Sequence, residues 1–196
     1  MKKLVLAASV ATALLSANAM ADVTASATAS WDASATKDTN SILVVTPLKS
    51  LTFQYAQGLQ AFNTQKGAFD VTIEGQSGAT DFELTSQIVS NTLARTSDAS
   101  TLDVGVAWNG EKLSKTAPVT LIDTSEGVSS GLDALAVASA YAGSERVSTQ
   151  GNFDFSIESA SNGTQTTAFS ELADGYWSGD VKVQFTAVWT VPAVTE

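Results

Sequence analysis

The sequence predicts an all-β protein, an antiparallel β-sandwich with one short helical excursion, and three observations carry that expectation. Apolar and polar residues alternate at period two through most of the chain, the pattern of strands that bury one face. Turn-forming residues separate these runs at intervals of roughly 8–12 residues, as the strands of a sandwich require. Only one stretch carries helical spacing.

The chain opens differently. Met1-Lys2-Lys3 is a basic start, residues 4–15 are apolar, and Ala19-Met20-Ala21 is a small-x-small cleavage site, so residues 1–21 read as a secretory signal with the mature chain starting at Asp22. The apolar run is about a dozen residues, where a membrane-spanning helix needs roughly 20. No later stretch reaches spanning length, so the mature chain is expected to be soluble or held outside the membrane by partners, with no direct membrane insertion.

Residues 22–31 alternate without exception: Val23, Ala25, Ala27, Ala29 and Trp31 share one face, and Thr24, Ser26, Thr28 and Ser30 the other. Further strands are expected at residues 42–46, 51–55 and 68–74, the last with Phe69, Val71 and Ile73 inward, then at 81–89. Residues 102–108 follow, with Leu102, Val104, Val106 and Trp108 in phase. Asn109-Gly110 comes directly after, and a type I′ turn needs positive φ twice, so a hairpin into residues 111–115 is expected.

Residues 119–123 make another short strand. Residues 131–141 form the helical excursion, with Leu132, Leu135, Ala136 and Ser139 at helical spacing and Gly143 as a stop. Residues 152–159 alternate Phe153, Phe155 and Ile157 against polar neighbours, and Asn162-Gly163 offers a second turn. Residues 179–191 close the series with Val181, Val183, Phe185, Ala187, Trp189 and Val191 on one face.

Composition narrows the function. Of 196 residues, 175 remain once the first 21 are removed, a usual size for one domain. The whole chain carries 10 Lys and Arg against 20 Asp and Glu; loss of Lys2 and Lys3 leaves eight against 20, a balance of −12. An acidic surface of this kind makes nucleic acid and anionic membranes poor partners. Cysteine and histidine are both absent. The expectation is therefore no metal and no cofactor, and most enzyme classes drop out: the usual ligands of zinc, copper and haem are missing, and neither a Ser-His-Asp nor a Cys-His arrangement can be built.

Trp108 and Trp189 lie in phase with apolar faces and read as core, whereas Trp31 and Trp177 are open to either packing or a carbohydrate platform. Residues 98–103 lack the spacing and central glycine of a calcium loop. Asn162-Gly163-Thr164 fits a glycosylation pattern as well as a turn.

An unpaired sheet edge must be covered or used. The inward face of residues 22–31 is Val-Ala-Ala-Ala-Trp, too slight to nucleate a core, yet ten residues extend roughly 33 Å, enough for the height of a sandwich. Alternation by itself leaves two readings open: a first strand of the chain's own domain, or a strand given to another molecule. A self-contained adhesin or carbohydrate-binding module, with Tyr176 or Trp177 on sugar, and an exported hydrolase using two carboxylates also remain at this point.

Longer stretches carry a resemblance. Ile42-Leu-Val-Val-Thr-Pro-Leu-Lys-Ser-Leu-Thr-Phe-Gln-Tyr-Ala-Gln-Gly58, then Phe62-Asn-Thr-Gln-Lys-Gly-Ala-Phe-Asp-Val-Thr-Ile-Glu-Gly75, and the ending Gly175-Tyr-Trp-Ser-Gly-Asp-Val-Lys-Val-Gln-Phe185, are similar to the major fimbrillins of the common pilus among the alpha-class chaperone–usher fimbriae. The likeness covers essentially the whole mature chain.

The resemblance implies an immunoglobulin-like pilin fold that lacks one strand, completed by the N-terminal extension of the next subunit in a homopolymer. It implies residues 22–37 as a donor-strand extension, with Val23, Ala25, Ala27, Ala29 and Trp31 as donor residues, and residues 38–196 as the pilin domain. Val181, Val183 and Phe185 would wall the acceptor groove, held first by a periplasmic chaperone and then by a neighbour's strand. An outer-membrane usher, a tip adhesin, a place on the cell surface as a fimbrium, and support for host-cell adhesion and biofilm formation follow on the same grounds. The tail after Trp189 departs from the family's usual ending, and Pro192 should stop the last strand near Val191.

Overall fold

The computed structural model describes residues 42–192, so residues 22–31, named above as the donor strand, lie outside the described residues, as do the signal segment and residues 193–196. Within the described residues the alternation resolves into thirteen strands. In chain order they are β1 (Leu43–Pro47), β2 (Tyr55–Ala56), β3 (Ala61–Phe62), β4 (Gln65–Glu74), β5 (Asp81–Ser90), β6 (Thr92–Arg95), β7 (Thr101–Trp108), β8 (Glu111–Lys112) and β9 (Val119–Asp123). Two single-turn helices, α1 (Asp133–Ala136) and α2 (Ala138–Tyr141), precede β10 (Arg146–Ser161), β11 (Thr166–Thr167), a 3-10 turn at Phe169–Glu171, β12 (Trp177–Ser178) and β13 (Lys182–Thr190).

The strands form two main sheets, and every pairing is antiparallel. The larger has the order β1-β4-β10-β7-β6-β12, with β8 on β7 and β11 on β10; the smaller has the order β13-β5-β9. Each strand gives its alternate side chains to the space between. From the larger sheet come Phe69, Val71 and Ile73, Phe153 and Ile157, and Leu102 to Trp108 in phase; from the smaller come Phe82, Leu84 and Ile88, with Val119, Leu121 and Ile122. All are buried in one apolar cluster, which makes the fold a sandwich. Aromatic rings bridge the layers: Phe185 of β13 lies 5.1 Å from Phe69 and 5.8 Å from Phe153, centroid to centroid.

Close ring packing needs room, and two glycines give it. A Cβ on Gly151 would come within 2.6 Å of the Phe69 ring that faces it across the ladder, and one on Gly67 within 2.3 Å of Phe155. Asn109-Gly110 makes the expected two-residue hairpin between β7 and β8, with φ of 49° and 89°.

Several expectations need correction. The helix over 131–141 breaks at Val137, whose φ of −81° and ψ of 141° are extended. A continuous helix would hold Leu135 and Tyr141 roughly 120° apart and Leu132 and Tyr141 on opposite sides. The break lets all three bury, while Ser139 is exposed. Residues 51–54 form no strand: Leu51 and Phe53 do pack on the core, but no neighbouring segment offers them a ladder, and pairing begins only at Tyr55 with Phe62. Of residues 111–115, Glu111 and Lys112 pair in the ladder with β7, and the strand ends there. Val191, expected on the inward face, is exposed, because β13 ends at Thr190.

Leu84 is fully buried at the centre of β5, opposite Ala187 on one side and Ile122 on the other. Leu84→Ala removes its contacts and leaves a cavity between two sheets that cannot close on it. The expected loss is about 3 kcal/mol in denaturant unfolding with an unchanged slope. A loss under about 1 kcal/mol would mean that this strand is not the centre of the core.

Candidate functional site

The smaller sheet has two edges, and they differ. β9 lies at one edge, yet Val119, Leu121 and Ile122 are 6%, 0% and 0% exposed. β13 lies at the other edge and, among the described residues, pairs only with β5. Its inward residues Val183, Phe185, Ala187 and Trp189, with Val181 just before, are only half-buried along the whole strand, although all five touch the core. An edge strand also presents half of its N–H and C=O groups away from its one partner.

The position of this edge follows from the aromatic contacts. Phe185 stacks over Phe69 and Phe153, which places β13 across from β4 and β10. β1 flanks β4 at the edge of the larger sheet, and its Leu43 and Val45 are likewise only half-buried against the core. Among the described residues, then, β13 and β1 are edges on the same side of the sandwich, with no strand between them, and β9 is the smaller sheet's other edge. Two polar atoms on this side are buried without a hydrogen-bond partner among the described residues: the Ser86 hydroxyl, in register with Phe185, and the indole N–H of Trp189. An unpaired buried donor or acceptor costs about 1–3 kcal/mol.

The structure brings Val181, Val183 and Phe185, singled out from the sequence, onto this one half-buried strip. Ala187 and Trp189 extend the same strip toward the end of β13 and belong with them; their signal was the unbroken alternation of residues 181–189. Trp189 packs on Phe82 at 5.1 Å while Trp108 is buried between Phe69 and Phe153, so both are packing residues.

Residues 24–189 match the model of the family described as Fimbrillin MatB. The chain belongs to the MatB fimbrillin family. Among its relatives is the common pilus major fimbrillin subunit EcpA of Klebsiella pneumoniae (strain 342), 52% identical over 195 residues that cover 97% of this chain and 100% of that protein. The subunit of the same name from Escherichia coli (strain K12) is 51% identical with the same coverage. Among solved structures, the CooA pilin subunit from enterotoxigenic Escherichia coli is similar at 19% identity and a TM-score of 0.46, covering 73% of this chain and 86% of that one.

In this fimbrillin the other features singled out from the sequence serve the fold. The Trp177 indole N–H donates to the Ser100 hydroxyl at 3.1 Å, and the Arg95 guanidinium lies 5.3 Å above its ring. Ser100 in turn donates from its hydroxyl and its backbone N–H to Asp98, which also pairs with Arg95 at 3.2 Å. These hydrogen bonds, the Ser100 hydroxyl first, hold the Asp98 carboxyl below its ordinary value. Trp177 is thus held in a hydrogen-bonded, half-buried corner. Asn162 Oδ1 accepts from the Thr164 and Gln165 backbone N–H groups and the Thr164 hydroxyl, which accounts for Asn162-Gly163-Thr164 as a turn.

Proposed function

We propose that this chain is the major structural subunit of a surface pilus of the alpha-class chaperone–usher type, a homopolymer in which each copy fills the open edge of its neighbour. The observation that carries this reading is the half-buried apolar strip Val181, Val183, Phe185, Ala187 and Trp189 on a strand that, among the described residues, has a partner on one side only. Residues 22–31 suit it: Val23, Ala25, Ala27 and Ala29 are small, alternate at the same period, and are followed by Trp31. Each added residue contributes ladder hydrogen bonds worth about 1 kcal/mol net along with modest burial. The relatives named as common pilus major fimbrillin subunits support the same assignment.

The domain division follows: residues 1–21 direct export, residues 22–37 form the extension and residues 38–196 the pilin domain. A periplasmic chaperone holds the β13 edge before assembly, an outer-membrane usher passes subunits outward, and a tip adhesin caps the fibre. The product is a surface fimbrium supporting host-cell adhesion and biofilm formation, a structural role rather than a catalytic one.

The test is the behaviour of the assembled fibre. Material sheared from cells expressing the chain with its assembly partners should run in detergent as a ladder of multimers without heating and collapse to one band after boiling, because a fully paired strand leaves only over a high barrier. Monomer alone in unheated detergent, from cells that export the chain, would sink the reading.

A further inference from the structure

Two sheet edges belong to one stretch of chain. In β12, Trp177 pairs with Arg95 and Ser178 with Ala94 of β6, at the end of the larger sheet; across residues 179–181 the same chain reaches Lys182 of β13, opposite Ser90 of β5. Its partner makes the same crossing, since Asn91 alone separates β5 from β6. At the crossing the Ser90 hydroxyl donates to the Asp180 carbonyl at 3.1 Å, and a Cβ on Gly179 would come within 2.8 Å of the Thr92 carbonyl. Residues 173–179 therefore lie as a strap along β6, and the chain that leaves the strap becomes the edge strand β13.

Burial does not hold the strap down. From residue 173 to residue 180 every residue is exposed except the half-buried Trp177, and the ladder with β6 is two residues long. Arg95 supplies the hold. Its side chain is 14% exposed, and its guanidinium donates to the Ala173 carbonyl at 3.1 Å and to the Asp174 carbonyl while lying over the Trp177 ring. Asp98 fixes the guanidinium from the other side and accepts from Ser100, to which the Trp177 indole N–H donates, so the contacts close a ring. Gly175 leaves no room for more than a hydrogen, because a Cβ would come within 2.3 Å of Arg95 Nε. Two successive carbonyls suit the rigid fork of a guanidinium, which a lysine does not reproduce.

What the strap covers is backbone. β6 has β7 on one side and, among the described residues, β12 on the other. Without the strap, Thr92–Arg95 would be a four-residue edge with free N–H and C=O groups, able to pair with another chain. β12 replaces it with a two-residue edge, and very short edge strands are poor templates for pairing. A subunit that joins its neighbours through β13 has to refuse them at its other edges, since a second competent edge would link fibres sideways.

We propose that residues 173–179, clasped by Arg95, are an edge guard that keeps β6 from pairing with β6 of a second copy, so that subunits join only through the β13 side and fibres stay single. It rests on the reading of the chain as a fibre subunit. One ribbon thus covers one edge of the fold and presents another.

The test uses the full chain assembled on cells. Arg95→Ala opens the clasp. Its fibres should still give heat-sensitive ladders but should lie side by side in electron micrographs, and the fraction of sheared fibre that pellets at low speed should rise severalfold. Gly179→Ala, which pushes the strap off the Thr92 carbonyl with Arg95 in place, should bundle as well. Adding Ala94→Lys to either variant brings like charges together across a β6–β6 contact and should return single fibres. A clasp that served stability alone would not be corrected by a lysine on the exposed face of β6. Arg95→Ala fibres as dispersed as the unmodified ones, or bundles that persist with Ala94→Lys, would overturn the guard while leaving strand exchange standing. Should Arg95→Ala fail to accumulate, Gly179→Ala is read by the same two outcomes. Loss of the ladders in every form, the unmodified chain included, would instead remove the fibre reading and the guard with it.

Discussion

Removing residues 22–31 from the full chain should leave cells with no fibres at all, while the truncated subunit still accumulates with its chaperone. The effect is all-or-none because, on the exchange reading, this segment is the part of each copy that pairs, noncovalently, into the next. Ala27→Arg is the sharper version. On the Val-Ala-Ala-Ala-Trp face, Ala27 is the central residue, and a guanidinium placed there would have to lose its water inside an apolar strip with no carboxylate to meet it. Fibre counts by electron microscopy and surface subunit by immunoblot should both drop below a hundredth of the unmodified chain, the order of magnitude that about 2.7 kcal/mol represents in an equilibrium. Normal fibre counts from the truncated chain would refute the exchange.

Much of the fold was legible because the core is written in period two. Phe69, Val71 and Ile73 were read as inward and are 4%, 0% and 0% exposed; the strand Val119–Asp123 has the bounds the alternation gave it. Turns governed by one φ requirement, such as Asn109-Gly110, were equally plain. What was not legible depends on partners. β10 begins at Arg146, six residues before its alternation becomes clear, because Arg146–Gly151 is paired against β4 while Ser148, Thr149 and Gln150 give no apolar signal. Residues 51–54 show the converse, alternation with no neighbour to pair with.

The candidate site divides in the same way. Its apolar strip could be read from Val181, Val183 and Phe185, because side-chain periodicity is a property of one strand. Its place at an edge could not, because being an edge is a property of the strand order, and nothing in residues 181–189 says that β5 lies on one side and, among the described residues, no strand on the other. The contrast with β9, equally an edge but with Val119, Leu121 and Ile122 buried, appears only in the assembled fold.

The acceptor side makes the second large prediction. Val183→Arg places a charge on the half-buried strip near its start, opposite Ile88, where the side chain can turn outward in the free domain but not beneath an added strand. The subunit should fold, with an unfolding midpoint close to the unmodified one, and make no fibres by itself. Its value lies in combination with Ala27→Arg. A subunit damaged only on the strip can still donate, and one damaged only at Ala27 can still accept, so a mixture of the two should stop at dimers. Either variant diluted into unmodified subunits should shorten fibres in proportion to its share, because a heterologous chain of contacts ends at the first copy that cannot continue it. At about one variant in ten, mean length should fall to roughly ten subunits. Had the two residues served a single self-completing domain, each variant would damage only its own copy, and the mixture with unmodified subunits would give fewer fibres of unchanged length; that outcome would return residues 22–31 to their own sheet.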